Sequence, residues 1–256
     1  MVGDRFEVVC EVEPPTRPDL MHVRHQIGVL SKVASAFLIP DNHIGRATVS
    51  SVAVAHEVEQ MGGRSIACLN ARDRNLLGFR RDLLTAAAYG VDQFLFVYGD
   101  RPTSGARTGQ LTVRSMIEEL RAFPIEGARP FRAGVAAGPG SLPAWKRDAD
   151  FVFAQVRFSM NEMLEWRAQL DFDGPVYAGV MVVPSVSMAR KIGADIQQLT
   201  VPDEWLAAIE RDPTAGVSLA CDLVESIRES GAFDGVHLIP VSRYREVAAR
   251  LEGRAR

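Results

Sequence analysis

Short apolar runs alternate along this chain with longer stretches whose apolar residues recur at the spacing of amphipathic helices. The apolar runs are rich in Val, Ile and Phe, which is typical of strands buried on both faces of a parallel sheet. We predict eight such strands, at 6–12, 35–40, 64–69, 92–99, 131–137, 150–156, 175–183 and 234–241. We predict helices at 19–33, 49–61, 76–89, 111–122 and 243–251.

This alternation favours a single (β/α)8 barrel that spans residues 1–256. An open, doubly wound α/β sheet with five or six strands is the alternative. One repeat is incomplete, because only the short segment 138–149 separates strands five and six. At a rise of ~1.5 Å per residue this segment has room for two helical turns at most. We therefore predict that the helix after strand five is shortened or missing.

Composition and charge exclude several classes of protein. The 29 Lys and Arg residues and 32 Asp and Glu residues give a formal charge of −3, which argues against a dedicated nucleic-acid binder. No apolar stretch is long enough to cross a membrane. The three cysteines, Cys10, Cys68 and Cys221, are widely spaced and show no pattern of metal ligands. We therefore predict reduced thiols, no metal site and a cytoplasmic location.

The chemistry of such a barrel gathers at the C-terminal ends of its strands. The sequence places carboxylates, amides and an arginine there, without a Gly-x-Ser-x-Gly elbow or a P-loop. These residue types indicate acid–base chemistry on a polar heterocycle. The candidates are Glu11, Glu13, Asn42, Asn70, Tyr98, Asp100, Gly138, Gln155 and Arg243.

The main candidates also have purely structural interpretations, which the sequence leaves open. Glu11 and Glu13 are two residues apart and point to the same side of a strand, where either could be a surface ion-pair partner. Asp100 follows Gly99 and could form a turn. Gln155 lies inside an apolar strand, and we expect a buried amide there to be hydrogen-bonded either to a ligand or to backbone.

An ordered set of motifs resembles the methylenetetrahydrofolate reductase family. The motifs are CEVEPP at 10–15, VYGDRP at 97–102, FAQVRF at 153–158, PSVSMARKIG at 184–193 and VSRYREV at 241–247. No single motif is specific, but their order and spacing match along nearly the whole chain. Members of that family are (β/α)8 barrels that reduce 5,10-methylenetetrahydrofolate to 5-methyltetrahydrofolate.

The resemblance implies roles for particular residues. It makes Glu11 the general acid that opens the five-membered ring, and Asp100 the anion that stabilises the resulting cation. It implies that Gln155 hydrogen-bonds the pterin and that Arg243 lies near the ligand. We assign the neighbouring strand-end residues Glu13 and Asn70 to substrate binding as well.

The sequence departs from the family where a flavin would bind. Typical members pass hydride from a nicotinamide to FAD and then to the folate. The family's histidine at the end of strand three is Cys68 here, its basic residue before Gly-Asp is Tyr98, and its aromatic residue after strand five is Gly138. The long segment after strand five, which holds the flavin pyrophosphate in the family, is reduced to 138–149.

We therefore predict a reductase that passes hydride directly from NADH or NADPH to a folate substrate, without tightly bound FAD. Asn42, Tyr98 and Gly138 are the predicted contacts of the nicotinamide cofactor. One alternative is a reductase of the same or a related pterin that depends on FAD or a deazaflavin. Another is a catalytically silent folate-binding barrel. We expect a monomer or homodimer that binds neither nucleic acid nor membrane.

Overall fold

Eight parallel strands close into a barrel, in which each strand pairs with the next and the last pairs with the first. The computed structural model describes residues 6–101, 108–195 and 199–254. The strands are β1 (Glu7–Glu11), β2 (Ala36–Ile39), β3 (Ser65–Asn70), β4 (Gln93–Val97), β5 (Arg132–Ala137), β6 (Phe151–Val156), β7 (Val176–Met181) and β8 (Gly235–Ile239). The predicted (β/α)8 barrel and all eight predicted strands are confirmed.

Helices surround the barrel and pack against the outward faces of the strands. They are α1 (Met21–Leu30), α2 (Ser51–Gln60), α3 (Leu76–Ala88), α4 (Val113–Ala122), α5 (Met160–Ala168), α6 (Val186–Asp195), α7 (Asp203–Arg211), α8 (Ala215–Ser230) and α9 (Tyr244–Arg254). The helices α1 to α4 and α9 occur where the sequence predicts helices. The helices α5 to α8 lie where we predicted none.

The connection between β5 and β6 is the irregular repeat of the barrel. Residues 138–149 contain one 3-10 turn, Ala144–Asp148, and no α-helix. The prediction of a missing helix is confirmed, because the segment is too short to return along the outside of the barrel as an α-helix. Pro143 precedes the turn and makes no side-chain cap.

Large side chains fill the interior of the barrel near its N-terminal end. Phe153 and Tyr177 stack at 4.9 Å between ring centroids, and Phe151 packs edge-on against both. Gly134 on β5 leaves the room that Phe151 fills, since a Cβ there would overlap the phenyl ring. At the N-terminal end, the Glu7 carboxylate accepts hydrogen bonds from the Tyr177 hydroxyl, at 2.6 Å, and from an Arg64 nitrogen. These described side chains therefore occupy the N-terminal part of the barrel interior.

Candidate active site

Glu11 and His237 form a pair inside the mouth of the barrel, which we define as the end where the eight strands terminate. The register Val9↔His237 between β1 and β8 turns both side chains inward. Glu11 Oε2 and His237 Nε2 are 3.1 Å apart, and the two side chains are 15% and 11% exposed. The Phe153 ring stands edge-on to the His237 ring, at 5.3 Å between centroids. A carboxyl group beside an imidazole can donate and recover protons in this sheltered place.

His237 is the functional candidate that the sequence analysis does not single out. It lies within the predicted apolar strand 234–241, and it is one of few buried polar residues in the described part of the chain. A lone polar residue at an inward position of that strand was the available signal. The sequence does not show that His237 pairs with Glu11, since the two residues lie 226 positions apart.

Asp100 lies at the rim of the mouth, beyond the end of β4, and its side chain is exposed. Its Oδ2 atom accepts a hydrogen bond from the Ile44 backbone N–H at 2.9 Å, which ties the loop after β4 to the loop after β2. Gly99 has a φ of +98°, and a Cβ there would lie 2.9 Å from the Asn70 Cβ. This backbone path requires glycine, and it sets the direction in which the Asp100 side chain leaves the strand.

The loop after β2 holds Asp100 with a strained backbone. Asn42 and Ile44 have φ values of +47° and +58°, and Val241 beyond β8 has a φ of +52°. A β-branched residue in this left-handed region costs about 1–3 kcal/mol, and such strain clusters at functional sites. The strained Ile44 is also the residue whose N–H holds Asp100. The strain is therefore consistent with a loop shaped for the site.

Asn70 belongs to a buried polar network rather than to the open surface of the mouth. Its side chain donates to Asp41 Oδ2 at 2.7 Å and accepts from the Asp73 backbone N–H at 2.9 Å. Arg74 pairs with the same Asp41 oxygen and, through Nε, with Asp82 at 2.8 Å. Asn70 is only 1% exposed. Asn70 thus orders the loop after β3, and its predicted role in substrate binding stays a prediction.

Gln155 also differs from its sequence interpretation. We predicted a buried amide, but the Gln155 side chain is exposed, because β6 reaches the mouth at this residue. It makes no hydrogen bond to any residue that the structure describes, so its amide is available to a ligand. It lines a cleft of about 260 Å³ together with Arg157 and Glu162.

The three predicted cofactor contacts lie around the same rim. Tyr98 borders a groove of about 510 Å³ that opens where the helix between β5 and β6 is missing. The Gly138 carbonyl accepts a hydrogen bond from the Trp166 indole N–H at 3.0 Å. Asn42 donates to Asp73 Oδ2 at 3.2 Å, so much of its amide is already engaged within the protein.

The two remaining predicted substrate residues, Glu13 and Arg243, are both at least partly exposed. Glu13 lies beyond the end of β1 and is exposed. Arg243 pairs with Glu246 at 3.0 Å and lines a separate groove of about 420 Å³ between α8 and α9. Among the described residues, neither Glu13 nor Arg243 makes a side-chain hydrogen bond or ion pair with Glu11 or Gln155.

Residues at the mouth offer neither a thiolate nor a metal centre. Burial raises the pKa of the Cys68 thiol well above its usual range, and the nearby Glu11 and Asp41 charges add to the effect. Over residues 6–101, 108–195 and 199–254, no three His, Cys, Asp or Glu side chains are grouped to hold a metal ion. No helix of the described chain is long and apolar enough to span a membrane.

The fold and the site together define a (β/α)8 barrel with an acid–base pair in its mouth and a second carboxylate at its rim. Comparison with known families then identifies the chain. The family model described as methylenetetrahydrofolate reductase matches residues 4–252. This protein belongs to the methylenetetrahydrofolate reductase family, which gives it a folate-related, reductase-like function. A search of the curated proteins returned no match to the chain.

Solved structures with the same fold include two that cover almost the whole chain. One is an uncharacterised protein from Clostridium thermocellum that binds two copies of 5-methyl-5,6,7,8-tetrahydrofolic acid. It is 12% identical, with a TM-score of 0.66 over 98% of this chain and 95% of that chain. Another is DmoA from Hyphomicrobium sulfonivorans, 9% identical, with a TM-score of 0.55 over 98% of this chain and 88% of its own. At these identities the likeness shows the fold alone.

The family is usually flavin-dependent, and the segment between β5 and β6 does not fit a flavin pyrophosphate. Of its two cations, Lys146 Nζ donates to the Ala136 carbonyl at 2.5 Å, and Arg147 forms an exposed ion pair with Asp171 at 2.7 Å. Burial also lowers the pKa of Lys146. The 3-10 turn provides no α-helix N-terminus, the element that commonly binds phosphate groups.

Proposed function

We propose that this protein reduces 5,10-methylenetetrahydrofolate to 5-methyltetrahydrofolate with hydride taken directly from a reduced nicotinamide nucleotide. The observation that carries the proposal is the short β5–β6 connection, which contains no α-helix and whose partly buried cation Lys146 already donates to the Ala136 carbonyl. Family membership supports the folate substrate. A similar barrel that binds 5-methyltetrahydrofolate, the proposed product, supports it further.

Glu11 is the proposed general acid. The methylene group that bridges two folate nitrogens must become an iminium cation before it can accept hydride. Ring opening places a developing negative charge on the departing nitrogen, which must take up a proton. Glu11 lies inside the mouth, and His237 at 3.1 Å holds its carboxyl group in place and can return a proton after each turnover. One proton and one hydride per cycle balance the reaction.

Asp100 is the proposed anion that stabilises the iminium cation. Its carboxylate lies at the rim, in the loop after β4, and is oriented by a hydrogen bond from the Ile44 N–H at 2.9 Å. A carboxylate fixed in this way stabilises a developing positive charge without having to reorganise during the reaction. Gln155, whose amide has no hydrogen-bond partner among the described residues, is the proposed hydrogen-bonding group for the pterin.

The groove beside Tyr98 is the proposed place of the nicotinamide nucleotide, which supplies the hydride when bound. Tyr98 and Trp145 offer aromatic surfaces for a heterocycle. Thr112 and Arg114, at the start of α4, line the other side of the groove. A groove open to solvent suits a nucleotide that must leave after each turnover, in contrast to a resident cofactor.

The experiment is a spectrum followed by an assay on the same sample. We expect the purified protein to be colourless and to oxidise NADH or NADPH only when 5,10-methylenetetrahydrofolate is present, without added flavin. Glu11→Gln should reduce turnover by about 10²–10⁴-fold, the usual contribution of a general acid, while the variant still binds 5-methyltetrahydrofolate. Glu225→Gln removes a carboxylate that pairs with Arg228 on α8, and it should behave as wild type. A yellow protein, or one that is active only with added FAD, would overturn direct transfer.

A further inference from the structure

A cleft of about 260 Å³ lies at the end of β6 and opens beside the mouth. It is lined by Gln155, Arg157, Phe158, Glu162, Leu199 and Thr200 among others. Arg157 follows Gln155 by two residues, and its backbone N–H continues the pairing with β7 through the Gly179 carbonyl at 3.3 Å. The β6–β7 register shifts between Phe153 and Val156, and both Gln155 and Arg157 line the cleft beside this irregularity.

The Arg157 guanidinium rests on a fixed platform. Its central carbon lies 5.2 Å from the centroid of the Trp166 ring, in a cation–π contact. Trp166 is buried, and its indole N–H donates to the Gly138 carbonyl at 3.0 Å. The position of the cation is thus set by the protein before any ligand arrives, which lowers the entropic cost of binding one.

This cation has no anionic partner in the part of the chain that the structure describes. Arg157 forms no ion pair and no side-chain hydrogen bond there, although partial burial lowers its pKa. Glu162, on the same cleft, acts on its charge only from a distance. Arg74 differs from it, because Arg74 is more deeply buried and pairs with two carboxylates. A partly buried guanidinium without an anionic partner is suited to a carboxylate supplied by a ligand.

We infer that the Arg157 cleft binds a carboxylate of the glutamate tail of the folate. The inference rests on the proposed function and extends it to a part of the substrate that takes no part in the chemistry. Gln155 connects the cleft to the mouth of the barrel, because it lines this cleft and is also the proposed pterin contact. The groove proposed for the nucleotide is a different place, since it begins at Tyr98 beyond β4, and β5 lies between β4 and β6.

The test compares two ligands by calorimetry. One is 5-methyltetrahydrofolate, and the other is its analogue in which both glutamate carboxylates are amides. We expect wild type to bind the acid about 10- to 100-fold more tightly, as a hydrogen bond to a charged group implies. Arg157→Gln should bind both ligands equally, with the Kd of the amide. Glu162→Gln should tighten binding of the acid only, because it removes a like charge from the cleft.

Arg24→Gln is the matched control, since Arg24 is an exposed arginine on α1 that pairs with Glu57 and lines neither the cleft nor the groove at Tyr98. It should bind both ligands as wild type does. If Arg157→Gln still prefers the acid to the amide, the inference is wrong while the proposed function stands. If Arg157→Gln instead raises the KM for the nicotinamide nucleotide alone, the cleft binds a phosphate and the inference is again overturned. If wild type binds neither ligand, the proposed function fails with it.

Discussion

Replacing Arg74 by methionine removes the centre of the polar network that orders the loop after β3. Arg74 is largely buried and pairs with Asp41 and Asp82. Methionine keeps most of the side-chain volume but cannot donate a hydrogen bond. The Asp41 carboxylate, with a side chain only 5% exposed, would keep two donors, the backbone and side-chain N–H groups of Asn70.

The expected loss of stability follows from the hydrogen-bond donors that Asp41 keeps. Removing one member of a buried ion pair typically costs about 3–5 kcal/mol, because the other charge stays buried. The two Asn70 donors still stabilise Asp41, and Asp82 can regain water because its side chain is partly exposed. We therefore expect the lower end of the range, about 3 kcal/mol in the free energy of unfolding.

Urea unfolding followed by circular dichroism and by tryptophan fluorescence measures this cost. Asp41→Asn in the Arg74→Met background removes the stranded charge and keeps an oxygen that accepts from Asn70, so it should recover about 2 kcal/mol. A cost below about 1 kcal/mol for Arg74→Met would refute the reasoning, since it would show that water screens the pair. The reasoning would also be refuted if Asp41→Asn did not restore stability to the Arg74→Met variant.

Three further outcomes are expected. His237→Ala should lower kcat by about tenfold or more and alter the pH–rate profile, with the Kd of 5-methyltetrahydrofolate unchanged, because the acid loses its positioning partner. Burial raises the pKa of Cys10 to about 12 and that of Cys68 well above its usual range, so both stay protonated at pH 8. A thiol reagent should then find no fast-reacting thiol in the native protein and three after denaturation. Gly99→Ala should cost about 1–3 kcal/mol of stability in thermal unfolding, since its backbone is left-handed and its Cβ would press on Asn70.

The barrel could be predicted because its signals are local and repeated. Each strand is a short apolar run, and the missing helix after β5 follows from the length of 138–149 alone. The helix α5 escaped prediction because only Met163 and Trp166 of its nine residues are buried, which leaves little periodicity. The helices α7 and α8 have apolar faces whose helical spacing is visible in the sequence.

The site was predicted less completely because its contacts join distant parts of the chain. Glu11 is easily noticed as an acid at a strand end, but its partner His237 depends on closure of the barrel between β1 and β8. Asn70 looked like a ligand contact, and only the fold shows that Asp41 and Asp73 use its amide. The exposure of Gln155 likewise depends on where β6 ends.

Following the transferred hydrogen tests direct hydride transfer most directly. NADH that carries two deuterium atoms at C4 of its nicotinamide ring is mixed with the protein and 5,10-methylenetetrahydrofolate in ordinary water. The mass of the product is then measured by mass spectrometry. We predict one deuterium in the methyl group of every 5-methyltetrahydrofolate formed. A route through a flavin would pass the hydrogen through a group that exchanges with water, so a product without the label would contradict the account.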